Sequence, residues 1–278
     1  MKTIPLNTIV ALALAEDIGA GDITTNSLIS KDKISMAVLL FKSGGVIAGL
    51  DFAKATFKKL DSKLQFKSTY KDGDVVKENT VVATLKGKTR GLLTAERVAL
   101  NFLTYLSSIA TNTSMYVNAI KPYKTAVMDT RKTTPLLRAL DRYAVRTGGG
   151  INHRFNLADM VMIKDNHYIE DKNPVHLVDQ IKMKTDKKVI LEVDTLDQLR
   201  LALTSFADII LLDNMSIAQT KQAVALRDRM NPRMLLESSG GINLKTIKQY
   251  AACGVDRISV GSLTQYRTAI DISLDFIT

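Results

Sequence analysis

The chain has 278 residues, of which 46% are hydrophobic and 24% charged. Those are the proportions of an ordinary globular protein, and they exclude a disordered tail, a collagen-like fibre and a membrane bundle. A single cysteine, Cys253, permits no internal disulfide and suits a reducing, cytoplasmic compartment.

In chain order, Ile9 to Ala15 is apolar and ends Ala-Leu-Ala, imitating the cleavage site of a secretion signal. The run is short and only Lys2 precedes it, so the expectation is an amphipathic first helix ending near Glu16. Ile34 to Phe41 and Val46 to Leu50 are alternating or short apolar runs, and residues 71–87, with the turn dipeptide Asp72-Gly73, read as hairpins. Leu93, Val98, Phe102, Leu106 and Ile109 recur at spacings of three to five, which predicts a long helix or helix pair from Leu92 to about Ile120. The change of rhythm near residue 110 divides the chain into an N-terminal domain, 1–109, and a C-terminal domain, 110–278, whose tail can return to pack on the first.

Beyond that point β-rich runs recur at Ala126–Met128, Met160–Ile163, Val189–Val193, Ile209–Leu212, Met234–Leu236 and Ile258–Val260. Helical segments separate them, among them Asp197–Thr204, Ser216–Met230 and Asn243–Cys253. Buried runs alternating with helices mean parallel strands joined by crossovers. Six units are too few for a closed eight-unit barrel of about 250 residues. An open, incomplete α/β barrel fits, with a doubly wound sheet as the competing architecture.

Every one of these runs ends in polar residues: Asp129-Thr130-Arg131-Lys132, Lys164-Asp165-Asn166-His167, Asp194 after Glu192, Asp213-Asn214, Glu237-Ser238-Ser239-Gly240-Gly241 and Gly261-Ser262. Strand C-termini of a parallel barrel share one face, where active sites assemble. Arg131, Lys132, His153, Arg154 and Lys164 make a cationic set for carboxylates or phosphates, and the arginines can bind in bidentate fashion. Glu192 and Asp213 offer hard oxygen ligands for Mg²⁺. Ser239-Gly240-Gly241 and Gly261-Ser262 can turn backbone N–H groups toward a phosphate.

Charge supports an anionic ligand. The net charge is +10, from 38 basic and 28 acidic residues, and residues 121–154 alone hold eight basic side chains against two acids. The chain has no tryptophan, no run of five Lys/Arg and no zinc-finger spacing, so a small multiply charged anion is a better partner than nucleic acid. Three histidines and one cysteine give no zinc spacing. Gly148-Gly149-Gly150 lacks the spacing of a dinucleotide fingerprint, and reads as a close approach of backbone to ligand or as a flexible turn.

These residues resemble the quinolinate phosphoribosyltransferase family. The resemblance is carried by EDIGAGDITT (16–25), LLTAERVALNFL (92–103), DTRKTTPLLR (129–138), RYAVRTGGGINHR (142–154), MIKDNH (162–167), LEVDT (191–195), ILLDN (210–214), ESSGGI (237–242) and ISVGSLT (258–264). It implies the type II phosphoribosyltransferase fold, an N-terminal α/β sandwich plus an open, incomplete TIM-like α/β barrel, working as a homodimer or dimer-based oligomer. It also implies quinolinate, 5-phosphoribosyl-1-pyrophosphate and Mg²⁺ as reactants, with nicotinate mononucleotide, pyrophosphate and CO₂ as products.

By motif position, Lys132, Lys164, Glu192 and Asp213 would be catalytic. Thr130, Arg131, His153 and Arg154 would join the lysines in binding quinolinate and the anionic parts of the sugar. Arg97 would reach the neighbouring subunit's site. Glu192 and Asp213 would hold ribose hydroxyls or the metal, and Ser239, Gly240, Gly241, Val260, Gly261 and Ser262 would cradle the 5-phosphate.

Two positions depart from the family pattern: Leu136 stands where the block usually reads Pro-Gly-Leu, and Gln265 where a histidine commonly follows Leu-Thr. A molybdenum-associated branch with a different acceptor shares the scaffold, but the IKDNH segment favours quinolinate. The residues alone also allow an aldolase-type lyase with Lys164 as Schiff-base nucleophile, or a basic binding module without catalysis.

Overall fold

The computed structural model describes residues 4–169, 171, 173–266 and 269–277. They form two units, one of Met1–Ser114, Thr134–Gly149 and Tyr266–Thr278, the other of Met115–Thr133 and Gly150–Gln265. The first unit thus draws on three separate stretches of the chain.

The first unit contains α1 (Leu6–Ile18), α2 (Ile23–Leu28), β1 (Ile34–Phe41), β2 (Gly45–Val46), α3 (Leu50–Leu60), β3 (Gln65–Lys67), β4 (Val75–Val76), β5 (Thr80–Lys88) and most of α4 (Thr89–Ala119). Also in it are α5 (Arg138–Thr147) and the last strand, β12 (Ile272–Ile277). Four strands form one antiparallel sheet in the order β12-β1-β5-β3. Along β1, Ala37, Leu39 and Phe41 are buried, as period-two burial requires, and they share a core with Phe57 of α3 and with Leu92, Ala95 and Leu103 of α4.

The hairpin expected between Val75-Val76 and Val81-Val82 does not form. β4 pairs with β2 in a separate two-stranded sheet, while β5 pairs with β1 and β3. Asp72 does more than make a turn: its carboxylate accepts from Gly49 N at 2.7 Å and Leu50 N at 3.1 Å, which caps α3. α5 joins this unit because Asp141 accepts from the Tyr105 hydroxyl and Tyr143 donates to Asp72. At the end of α5 a Cβ on Gly148 would lie 2.3 Å from the Ala110 carbonyl oxygen. The first glycine of the triplet thus serves helix packing, not a ligand.

The second unit runs β6 (Ala126–Met128), β7 (Val161–Ile163), a 3₁₀ turn (Asp165–His167), α6 (Pro174–Lys182), β8 (Val189–Val193), α7 (Leu196–Ala202), β9 (Ile209–Asp213) and α8 (Ile217–Met230). It continues with β10 (Leu235–Ser239), α9 (Ile247–Ala252), β11 (Arg257–Ser259) and α10 (Ser262–Gln265). The helices start where the sequence supplies caps: Asn173 for α6, Thr195 for α7 and the Ser216/Gln219 capping box for α8.

All six strands are parallel, in the order β6-β11-β10-β9-β8-β7. β6 and β7 are the two edges, so the barrel is open. Ile151 lies beside β6, where it bridges to Met128, its N donates to Val127 O at 2.8 Å and Asp129 N donates to its O at 3.0 Å. No described helix is long and apolar enough to cross a membrane.

Candidate active site

Strand register decides which side chains meet. In the parallel sheet Glu192 pairs with Leu211, Leu211 with Glu237, and Glu237 with Arg257. Residues two apart on a strand share a face. One face therefore carries Met162 and Lys164, Ile190 and Glu192, Ile209, Leu211 and Asp213, Leu235, Glu237 and Ser239, and Arg257 and Ser259. Its lower part is apolar, with Ile190, Ile209 and Leu211 packed against Met160, Met162 and Leu235. Charge gathers at the strands' C-terminal ends.

Lys164 Nζ donates to Glu192 Oε2 at 2.5 Å. Burial, with a smaller contribution from nearby Asp213, raises the Glu192 carboxyl above its ordinary value despite the lysine. The loop that presents Lys164 is tied down twice, by Lys164 N donating to His167 Nδ1 at 3.0 Å and by the Tyr168 hydroxyl donating to Glu192 O at 2.9 Å. Burial and the surrounding carboxylates push the Tyr168 hydroxyl up to about 12, so it remains a donor. Asp213 is oriented by Asn214, whose Nδ2 donates to Asp213 Oδ2 at 2.7 Å.

Arg154 is 8% exposed, and its Nη1 donates to Met160 O at 3.2 Å. Burial first, and the repulsion of Arg131 second, lowers its guanidinium pKa. Two cations crowded this way, one of them desolvated, are stabilised by an incoming anion. Arg131 and Lys132 are exposed, and Lys132 N donates to the Thr130 hydroxyl at 3.1 Å. His153 is turned inward: Nδ1 accepts from Arg154 N at 2.7 Å and Nε2 lies 3.3 Å from Glu237 Oε1. Both ring nitrogens face groups of the protein itself.

The glycine turns are built for close approach. Gly240 has φ +95, and a Cβ there would lie 2.2 Å from Asn214 Oδ1. Gly241, at φ +63, faces open space. A Cβ on Gly261 would lie 3.2 Å from Lys132 Cδ and 3.2 Å from Gln265 Oε1, so the Lys132 stem lies across that turn. The Thr264 hydroxyl donates to Lys132 O at 2.7 Å, which holds the two loops together, and the Ser262 hydroxyl meets that of Tyr116 at 2.9 Å. Val260 is buried, and its N–H donates to Met128 O at 3.0 Å.

The second unit thus contains the whole predicted set except Arg97, which is exposed on α4 in the first unit and lines a cavity of about 430 Å³ there with Asn101, Tyr105 and Asp271. The basic stretch 121–154 is divided: Arg138, Arg142 and Arg146 lie on α5 in the first unit. A second cavity, of about 420 Å³, is lined by Met160, Lys188, Leu235 and Arg257 near the strands' N-terminal ends, opposite the charged rim. Among the described residues no cluster of three or more His, Cys, Asp or Glu could hold a metal by itself.

Two family models match in tandem, the N-terminal domain of quinolinate phosphoribosyl transferase over residues 22–107 and its C-terminal domain over 109–275. The chain belongs to the quinolinate phosphoribosyltransferase family. Among its relatives, a nicotinate-nucleotide pyrophosphorylase (carboxylating) of Mycobacterium leprae is 40% identical over 95% of this chain and 94% of its own. A probable one of Synechocystis is also 40% identical, over 95% and 90%. In three dimensions, NadC of Streptococcus pyogenes superposes with a TM-score of 0.94 at 37% identity, covering 100% of this chain and 99% of its own. The nicotinate-nucleotide pyrophosphorylase of Francisella tularensis gives 0.91 at 39%, covering 99% and 98%. A family of transferases accounts for an open α/β barrel whose charged residues collect at the strand ends.

Proposed function

We propose that this chain transfers the phosphoribosyl group of 5-phosphoribosyl-1-pyrophosphate to the ring nitrogen of quinolinate. The products are nicotinate mononucleotide, pyrophosphate and CO₂, a step of de novo NAD biosynthesis. The observation that carries the reading is the cationic set of buried Arg154, exposed Arg131 and part-exposed Lys164 on the same rim as the Gly240-Gly241 and Gly261 turns. A pyridine diacid and a sugar carrying both a phosphate and a pyrophosphate need both features.

The chemistry follows from charge. Arg131, Lys132 and Arg154 are assigned to quinolinate and the anionic sugar, the arginines pairing with the quinolinate carboxylates, while His153, turned inward, acts through the Arg154 backbone it holds. The cations remove the repulsion that would oppose approach of the ring nitrogen to the anomeric carbon. As the C–O bond to pyrophosphate breaks, Glu192 and Asp213 stabilise the developing oxocarbenium and hold the ribose hydroxyls. Lys164 pairs with Glu192 and keeps that carboxylate in place. N-ribosylation makes the ring cationic, so the electron pair of the neighbouring C–CO₂⁻ bond can stay on the ring carbon as CO₂ leaves, and a proton then replaces it. Positioning and electrostatics suffice, with no covalent enzyme intermediate.

The two carboxylates on one face suit an ion shared with substrate oxygens more than a resident one. Glu192 and Asp213 would help hold a Mg²⁺ brought by the pyrophosphate, which supplies charge neutralisation for the leaving group. We assign the chain to the cytoplasm and to a homodimer in which Arg97 serves the partner's site. Pyrophosphate release with quinolinate and with nicotinate, each offered separately with the sugar, tests the reading. Release with quinolinate alone is expected, and release with nicotinate alone would overturn it.

A further inference from the structure

Glu237 lies in the same register layer as Glu192, the two flanking Leu211, and is 0% exposed. Its neighbour in register on β9 is Leu211, so an apolar side chain fits that layer and would avoid the cost of burying a carboxylate. The contacts of Glu237 indicate why it is there. The Ser259 hydroxyl donates to Oε1, and His153 Nε2 lies 3.3 Å from the same oxygen. The other oxygen, Oε2, has no hydrogen-bond partner among the described residues.

His153 links this carboxylate to the rim. Its Nδ1 accepts the Arg154 N–H at 2.7 Å, so the ring proton sits on Nε2, toward Glu237. A carboxylate at that place repels the other tautomer, whose Nε2 would present a lone pair. The His153 backbone is held as well, its N–H donating to buried Asp129 Oδ1 at 2.6 Å while Asn152 Nδ2 donates to Oδ2 at 2.6 Å. Arg154 follows directly in the chain.

We propose that Glu237 is a positioning residue for the acceptor substrate. By fixing the Nε2–H tautomer of His153 it fixes the Arg154 backbone, and so aims the Arg154 guanidinium at a quinolinate carboxylate. The proposal rests on the reading that this rim binds quinolinate.

The test measures KM for quinolinate and for the sugar pyrophosphate separately in Glu237→Leu and Glu237→Gln. The His153 tautomer is read from imidazole ¹⁵N NMR of the substrate-free proteins. Glu237→Leu should raise the quinolinate KM about tenfold, within the range of coupling between residues in contact. The sugar's KM should stay within about twofold, as for an uncoupled site. His153 should become a mixture of tautomers. Glu237→Gln, which keeps an acceptor for Nε2–H, should restore most of the affinity.

Equal rises in both KM values, or an unchanged His153 tautomer in Glu237→Leu, would overturn the proposal. If Glu237→Leu does not fold, a cycle of Glu237→Ala, which removes the acceptor, with His153→Ala decides: additive effects on the quinolinate KM reject coupling through the imidazole. Failure of the wild-type protein to release pyrophosphate with quinolinate would reject the functional reading, and the tautomer measurement separates that outcome from failure of the Glu237 proposal.

Discussion

The two sheets bury different things. On β1 of the antiparallel sheet the fully buried positions are Ala37, Leu39 and Phe41. On the parallel sheet Glu192, Glu237, Ser238 and Ser259 are buried beside Ile190 and Leu211. Apolar burial stabilises a fold by itself, whereas buried charge is retained only where partners or a ligand compensate it. The first sheet is therefore where stability should be lost without chemistry, and the second where chemistry should be lost at little cost to stability.

The most severe break is Phe41→Ala, which empties a site in the first core and should cost about 3–5 kcal/mol of stability, measured by denaturant unfolding. Substrate KM values of the protein that remains folded should stay near wild type. The opposite pattern is expected for Lys164→Ala. It should lower kcat about 10²–10³-fold with a melting temperature close to wild type, since the lysine is part-exposed at 41%.

Gly240→Ala comes next. The strained φ and the overlap with Asn214 should cost about 1–3 kcal/mol and raise the KM for the sugar pyrophosphate more than that for quinolinate. An equal change in both constants would detach this turn from the phosphate.

Glu192→Gln sharpens the contrast through pH. The Glu192 carboxyl is raised in the folded protein, chiefly by burial, so its contribution to stability is fully present below the ordinary carboxylate range and is lost as pH rises through the folded value. The glutamine variant should match wild type in unfolding free energy near pH 4, become the more stable of the two toward pH 8, and lack activity throughout. These pH values span about the ordinary glutamate pKa of 4.3 and the range well above it. A variant less stable than wild type at pH 8 would show that the Lys164 pair outweighs desolvation.

The smallest effect is expected at Leu136. Thr134-Pro135-Leu136-Leu137 closes with Leu137 N donating to Thr134 O at 3.1 Å and Leu136 at φ +66, a turn whose third position favours glycine. Leu136→Gly should stabilise the protein by about 1 kcal/mol in thermal unfolding, with turnover unchanged.

Much of this was legible in sequence because the signals are local. Apolar runs between capping residues place β6, β8 and β9 within a residue or so of their positions. The polar strand ends mark the rim, and a charge pattern can be read from the residues alone. The hairpin at 75–82 is not the pairing that forms, because Val75-Val76 has the composition of a strand paired to its neighbour, whereas the partner, Gly45-Val46, lies some 30 residues earlier, farther than a turn signal reaches. Glu237 read as the loop after a strand ending at Leu236. In the fold β10 continues to Ser239, and that extension buries the carboxylate.

By itself, then, the sequence determined the family, the alternation of strands and helices, and the residue types offered to an anionic substrate, since all of these depend on side-chain identity and short-range spacing. Only the tertiary structure decided that Lys164 pairs with Glu192, that Arg154 is desolvated beside Arg131, and that His153 turns inward to Glu237. Those facts depend on strand register, which brings residues tens of positions apart onto one face of one sheet, and no local pattern encodes which strand lies beside which.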